Sequence, residues 1–348
     1  MYDWIDPFLP VAVGSFPHAT PGEALALIFR RLPLIPLWPQ LPRRSFHENM
    51  YVQYSGGMPS VKIDEARGKL YLDTAAQPER DLALFWEHAL SADLDWFAFP
   101  EGYAAGFTEF CNILQKNGAG GAVCLKGQVT GPFSFGLTVT DHNDRAIVYN
   151  QEYFEAVVAG VSLHARWQAE MLKRFHERVI IFIDEPYLVS YGSAFVSIER
   201  REVVSSINAT IEAIHEAGAL AGIHCCGNTD WSLLLETDLD ILNFDAFQFF
   251  DNVVLYAGDI KSFLERGGVM AWGIAPSEET ILSTSVDSLE RKLGQQVVSL
   301  ADCGIDRKTI RHSSVISPAC GMGSQTEQVA EEALAKLQEL SARMKDFS

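Results

Sequence analysis

The chain alternates short apolar runs with longer segments of helical period. The runs "VAVGSF", "LIPLW", "WFAFP", "GAVCLKG", "VIIFID", "LAGIHC", "DILNFD", "GVMAWGI" and "HSSVIS" have the length of buried strands. Between most of them lie "GEALALIFRRL", "ERDLALFWEHAL", "FEAVVAGVSLHARWQAEMLKRF", "REVVSSINATIEAIHEAG", "DSLERKLGQQVVSLADCG" and "EQVAEEALAKLQEL", which carry helical periodicity. The last begins within "SQTE", where Ser324 and Glu327 have the spacing of a capping box. Strand then helix, repeated, predicts a parallel sheet. Eight or nine strands over 348 residues predict an α/β fold of the TIM (β/α)8 barrel type, a single domain spanning residues 1–348. The competing architecture is a doubly wound open sheet, but no Gly-rich dinucleotide fingerprint follows the first strand. "VKIDEARGKLYLD" breaks the alternation and predicts an inserted β-hairpin around Arg67-Gly68, near the barrel mouth.

Composition narrows the class. Hydrophobic residues make up 48% of the chain, enough for a large core, and the formal net charge is −18. That charge argues against a nucleic-acid partner, which needs clustered Lys and Arg. No apolar run approaches a membrane span. The start, "MYDWIDPFLPVAVGSFPH", lacks a basic region followed by a long apolar one, so the expectation is a cytoplasmic protein. Its six cysteines then read as reduced thiols, some metal-bound, rather than as a disulfide scaffold. Cys111, Cys124 and Cys303 fall in predicted helix or strand bodies and read as core.

In a barrel, chemistry sits where strands end. In "AGIHCCGNTDW" the side chains of His224 and Cys226, two residues apart on a strand, point the same way, and Cys225 points away. An imidazole and a thiolate on rigid backbone suit Zn²⁺. "SPACGMGSQ" places Cys320 after the last strand, and "DILNFDAF" places Asp245 at the end of the strand after His224. The candidate metal site is therefore His224, Cys226 and Cys320, with Asp245 as a possible fourth ligand. Phe16, Trp38, Phe133, Phe135 and Trp272 lie at or near strand ends, and barrel packing is the preferred reading for them.

A resemblance enters at this point. "VAVGSFPHAT" resembles the "GSFP" segment that opens the catalytic barrel of cobalamin-independent methionine synthase. "VIIFIDEPYL" is similar to that family's "IDEPAL" strand end, and "GQVTGPFSF" to its "GPVT" region. The His-x-Cys pair and the late Cys-Gly follow in the family's order, so the resemblance covers nearly the whole chain. It extends to the wider superfamily of uroporphyrinogen decarboxylase-like barrels, which includes zinc thiol methyltransferases fed by corrinoid proteins. The resemblance implies His224, Cys226 and Cys320 as zinc ligands, with Asp245 where the family has a glutamate ligand. It implies that Ser15 holds the carboxylate of homocysteine and that Asp184 pairs with its amine, while Glu185 and Pro186 shape the strand end.

Two departures qualify what it implies. The second barrel that precedes the catalytic one in the full-length synthases has no counterpart here, which turns the expected donor from a folate to a methylated corrinoid (methylcobalamin or a corrinoid protein). "ENMYVQYSGG" aligns loosely with a family segment "NDMVEYFGE" and puts Gln53 in place of a glutamate that contacts the amino acid. The leading expectation is a zinc-dependent methyltransferase acting on a small thiol such as homocysteine. The alternatives are a uroporphyrinogen decarboxylase-like enzyme, disfavoured by the thiol ligands and the near-absence of Arg in the N-terminal strand-end motifs, and a non-catalytic barrel that binds zinc or a corrinoid partner.

Overall fold

The computed structural model describes residues 2, 4–194 and 196–345. Its strands are β1 (Leu9–Pro10), β2 (Val61–Asp64), β3 (Lys69–Leu72), β4 (Leu125–Thr130), β5 (Thr140–Asp141), β6 (Val179–Asp184), β7 (Leu220–Cys225), β8 (Ile241–Phe244), β9 (Val269–Ala275) and β10 (Ser314–Pro318). Seven of them form one curled, wholly parallel sheet in the order β1-β10-β9-β8-β7-β6-β4. Helices supply the crossovers, as a parallel sheet requires. Gln151–Lys173 joins β4 to β6 by way of β5, Arg200–Glu216 joins β6 to β7, and Val286–Asp302 lies between β9 and β10. Among the described residues no helix is long and apolar enough to cross a membrane.

The expected eight-stranded ring is corrected in one place. Where an eighth strand would lie between β1 and β4, the segment 34–40 makes only single parallel bridges, Leu37 with Lys126 on one side and Gln40 with Ser15 on the other. Pro33, Pro36 and Pro39 explain this, because each removes a backbone N–H from the ladder. The remaining donors still reach across. Lys126 N–H donates to Pro36 O at 3.0 Å and Gln40 N–H to Gly14 O at 3.0 Å.

Two further expectations change. "WFAFP" is not a strand; Leu94–Phe97 is a 3-10 turn that buries Phe97, and Trp96 Nε1–H donates to Gly57 O at 3.1 Å. The last helix runs Glu327–Met344 and is capped by Thr326, whose hydroxyl accepts from Val329 N–H at 3.2 Å, so Ser324 and Glu327 form no capping box. The hairpin around Arg67-Gly68 is present: β2 and β3 pair antiparallel, with Gly68 in the left-handed region at φ 62°. β3 also pairs parallel with β5, just beyond the helix that follows β4, which fastens the hairpin at the carboxyl side of the sheet.

Candidate functional site

Side-chain direction on β4 decides what the sheet encloses. A Cβ on Gly127 would meet Gln168 of the helix Gln151–Lys173 at 1.8 Å, so that face of β4 looks at the helix layer. Lys126, Gln128 and Thr130 therefore point to the enclosed side, and all three are buried. The Lys126 ammonium donates to Val13 O at 2.5 Å and Gly127 O at 3.2 Å and sits 4.2 Å from the centre of the Phe182 ring. Burial pulls its pKa down to about 7, while Asp184 acts to raise it.

Pairing carries this face across the sheet. Thr130 is the register partner of Asp184, Asp184 of His224, and His224 of Asn243. These four side chains form one level at the carboxyl ends of β4, β6, β7 and β8. One level down, a Cβ on Gly222 would strike the Phe182 ring at 2.3 Å, so the glycine makes room for that ring beneath His224.

His224 is held in one tautomer. The Asn243 amide Nδ2 donates to Ala271 O and Ser317 Oγ, both at 2.8 Å, which turns its Oδ1 towards the imidazole. His224 Nδ1–H donates to that oxygen at 2.6 Å. Nε2 is left buried and without a hydrogen-bond partner. One ring nitrogen of His224 lies with Cys226 Sγ and Cys320 Sγ, all three atoms within 4.8 Å of one another, and since Asn243 engages Nδ1, Nε2 is the nitrogen free for this group. Zinc bond lengths of about 2.3 Å to sulfur and about 2.1 Å to nitrogen put tetrahedral donors about 3.5–3.8 Å apart, so a small contraction suffices. A buried ring nitrogen with no partner, two adjacent thiols, and a polar group orienting the imidazole from behind fit a zinc ion. The hydrogen bond from Cys320 holds the Cys226 thiol well below its usual range, against burial, and pushes Cys320 up. Burial lowers the His224 pKa, but the Cys226 sulfur beside it prevails and raises it.

Asp245 lies outside the three-residue cluster. It is buried, its Oδ1 accepts from Gln248 N–H at 2.8 Å, and burial pushes its pKa up to about 6, with Cys226 adding to the rise. Asp184 faces the site with its Oδ1 unpartnered. Burial raises its pKa to about 6, opposed by His224 and Lys126. Its neighbour Glu185 does different work. Its carboxylate accepts from Phe133 N–H at 3.0 Å, Ser134 N–H at 2.8 Å and Ser134 Oγ–H at 2.5 Å, capping the helix Pro132–Thr138. Gly131 is obligatory there, since a Cβ would stand 2.1 Å from that carboxyl group.

Ser15 lies against the loop after Cys320. Its Oγ accepts from Gly323 N–H at 3.3 Å, and a Cβ on Gly321 would come within 2.3 Å of that oxygen. The glycine after Cys320 thus lets the two segments meet. Gln53 is fully buried with both ends of its amide engaged: Nε2 donates to Tyr103 O at 2.6 Å, and Oε1 accepts from Gln40 Nε2–H at 2.8 Å.

Phe16, Trp38, Phe133, Phe135 and Trp272 are fully buried as packing residues. Cys124 is buried and Cys111 half-buried, but Cys303, expected in the core, is exposed where its helix ends. Asn243 and Thr130 were not anticipated. Asn243 sits in an apolar strand run, and Thr130 stands in an alternating polar pattern that mimics a solvent-facing edge.

No protein-family model matches the sequence, and no curated protein matches it. Solved structures similar to it include a B12-independent methionine synthase from Shewanella sp. W3-18-1 in complex with selenomethionine, at 15% identity and a TM-score of 0.47. Another is a putative vitamin-B12-independent methionine synthase from Listeria monocytogenes, at 14% identity and a TM-score of 0.47. Each match covers 69% of this chain and, respectively, 66% and 68% of the other, so about a third of each solved chain lies outside it.

Proposed function

We propose that this chain is a zinc-dependent thiol methyltransferase built on a single barrel. The observation that carries the reading is the unpartnered, tautomer-locked Nε2 of His224 beside the Cys226 and Cys320 sulfurs. These three residues would hold the metal, with Asp245 beside them as a fourth ligand or as an outer partner. Bound there, zinc would lower the pKa of an incoming thiol and hold its sulfur at an exchangeable position.

The donor set favours sulfur chemistry. Two thiolates and a neutral imidazole cancel the charge of the ion, which keeps an acceptor sulfur electron-rich; a more cationic site favours activation of water. Asp184, one strand from His224, would hold the ammonium of an amino thiol such as homocysteine. Ser15, beside the Cys320 loop, would hold its carboxylate. Gln53 would act through Gln40 on the segment that Ser15 bridges, because its own amide is already engaged. The acceptor thiolate takes the methyl group in line, and the donor leaves with the bonding electron pair; a methylcorrinoid, free or on a partner protein, is the proposed donor. The resemblance of the "GSFP", "IDEP", His-x-Cys and Cys-Gly segments in one order supports this class. The setting is proposed to be cytoplasmic, where the thiols stay reduced.

The test is direct. Zinc-loaded protein incubated with homocysteine and methylcobalamin should release methionine and demethylated cobalamin in equal amounts, and a Cys226→Ser variant should not. Zinc-loaded protein that neither binds nor methylates any small thiol would sink the reading and favour the non-catalytic binder.

A further inference from the structure

The level of side chains that contains His224 also contains two buried polar atoms with no protein partner, Thr130 Oγ1 and Asp184 Oδ1. Thr130 is 1% exposed and is the direct register partner of Asp184, on the same enclosed face. Side chains so paired on adjacent parallel strands stand about 5 Å apart. A hydroxyl and a carboxylate oxygen buried without a protein partner are costly unless a bound ligand or ordered water pairs with them. Thr130 has no packing reason to be polar: valine has the same shape, and the backbone of β4 is satisfied by β6 on one side and, on the other, by the segment 34–40 at Lys126 and by the side chains of Gln168 and Tyr54 at Gln128. The helix-facing residues of the same strand give no such signal.

We infer that Thr130 is a specificity-determining residue: its hydroxyl and the Asp184 carboxylate together receive the ammonium of an amino thiol whose sulfur lies at the His224–Cys226–Cys320 cluster. This rests on the metal-centre reading and adds to it. One strand spacing from His224 to Asp184 is on the scale of the sulfur-to-nitrogen reach across the three carbons of homocysteine, and the next strand brings Thr130 to the far side of the same group. A primary ammonium has three N–H donors, so it can donate to both acceptors at once, whereas a thiol without an amine leaves both unpaired.

The experiment is calorimetric binding to zinc-loaded wild type, Thr130→Val and Thr130→Ser, using homocysteine and its analogue lacking the amine. Thr130→Val should weaken homocysteine binding about tenfold, the scale of one hydrogen bond to a charged donor, and leave the amine-free thiol unchanged. Thr130→Ser should restore homocysteine binding. Thr130→Ala removes the same hydroxyl with less bulk and serves if the valine variant does not fold. Equal weakening of both thiols, or no weakening of either, would overturn the role of Thr130 and leave the metal centre standing. Failure of wild type to bind either thiol would overturn both.

Discussion

At the residue scale, His224 depends on the group behind it. Asn243 faces Ala271 O and Ser317 Oγ with its donors and the imidazole with its acceptor, so one rotamer serves three partners. Asn243→Leu keeps the volume and removes all three. The account predicts zinc affinity lower by about ten- to a hundredfold, as for other groups that orient a ligating histidine, measured by chelator competition. Unchanged affinity would show that the imidazole needs no support. Glu185 is the second such residue. All its partners are donors, so Glu185→Gln turns an amide N–H towards them and should cost about 1–3 kcal/mol in denaturant unfolding. The His-x-Cys pair was legible in the sequence because two-residue spacing on a strand needs no tertiary knowledge. The roles of Asn243 and Glu185 were not, because each depends on groups from other strands or helices.

At the element scale, β6 to β10 were legible almost to the residue, because continuous apolar runs between amphipathic helices have one reading in a parallel sheet. β4 shows why the rest was not. Its sequence, "LKGQVT", alternates apolar or small with polar residues as a half-exposed strand would, yet its polar side lines the interior and its glycine meets a helix. The segment 34–40 reads as a strand by hydrophobicity and fails as one through its prolines. Interior space is also set at this scale. Gly222→Ala would drive a methyl into the Phe182 ring on the neighbouring strand, and overpacking of this kind costs about 1–3 kcal/mol. A lower thermal midpoint is expected; an unchanged one would mean that Phe182 moves aside freely.

At the scale of the whole molecule, the amino-terminal segment is tied to the far end of the sheet. Tyr2 Oη–H donates to Asp240 Oδ1 at 2.7 Å, while Asp240 Oδ2 meets His215 Nε2 at 2.7 Å and accepts from Ala221 N–H at 2.8 Å. The hydrogen bond to Asp240 raises the His215 pKa above 6.5, against burial. A raised histidine stabilises the fold fully below its unfolded pKa and loses that contribution as pH rises through its folded one. Burial tends to raise Asp240, but its hydrogen bonds from His215, Tyr2 and Ala221 lower it below 3.8, so its contribution holds above that value and is lost in acid. The clasp is therefore strongest between about pH 4 and 6.5, and His215→Gln should flatten the fall in stability on the alkaline side of that window in unfolding titrations. A slope that survives the substitution would assign it to another group. The central claim, however, lies at the other end of the sheet, where the ends of β7 and β10 bring His224, Cys226 and Cys320 together. The most direct test is elemental analysis of protein purified with zinc supplied, alongside Cys320→Ser. The account predicts one zinc per chain in the wild type and loss of it in a folded variant; a folded wild type without zinc, or a Cys320→Ser protein that keeps it, would contradict the account.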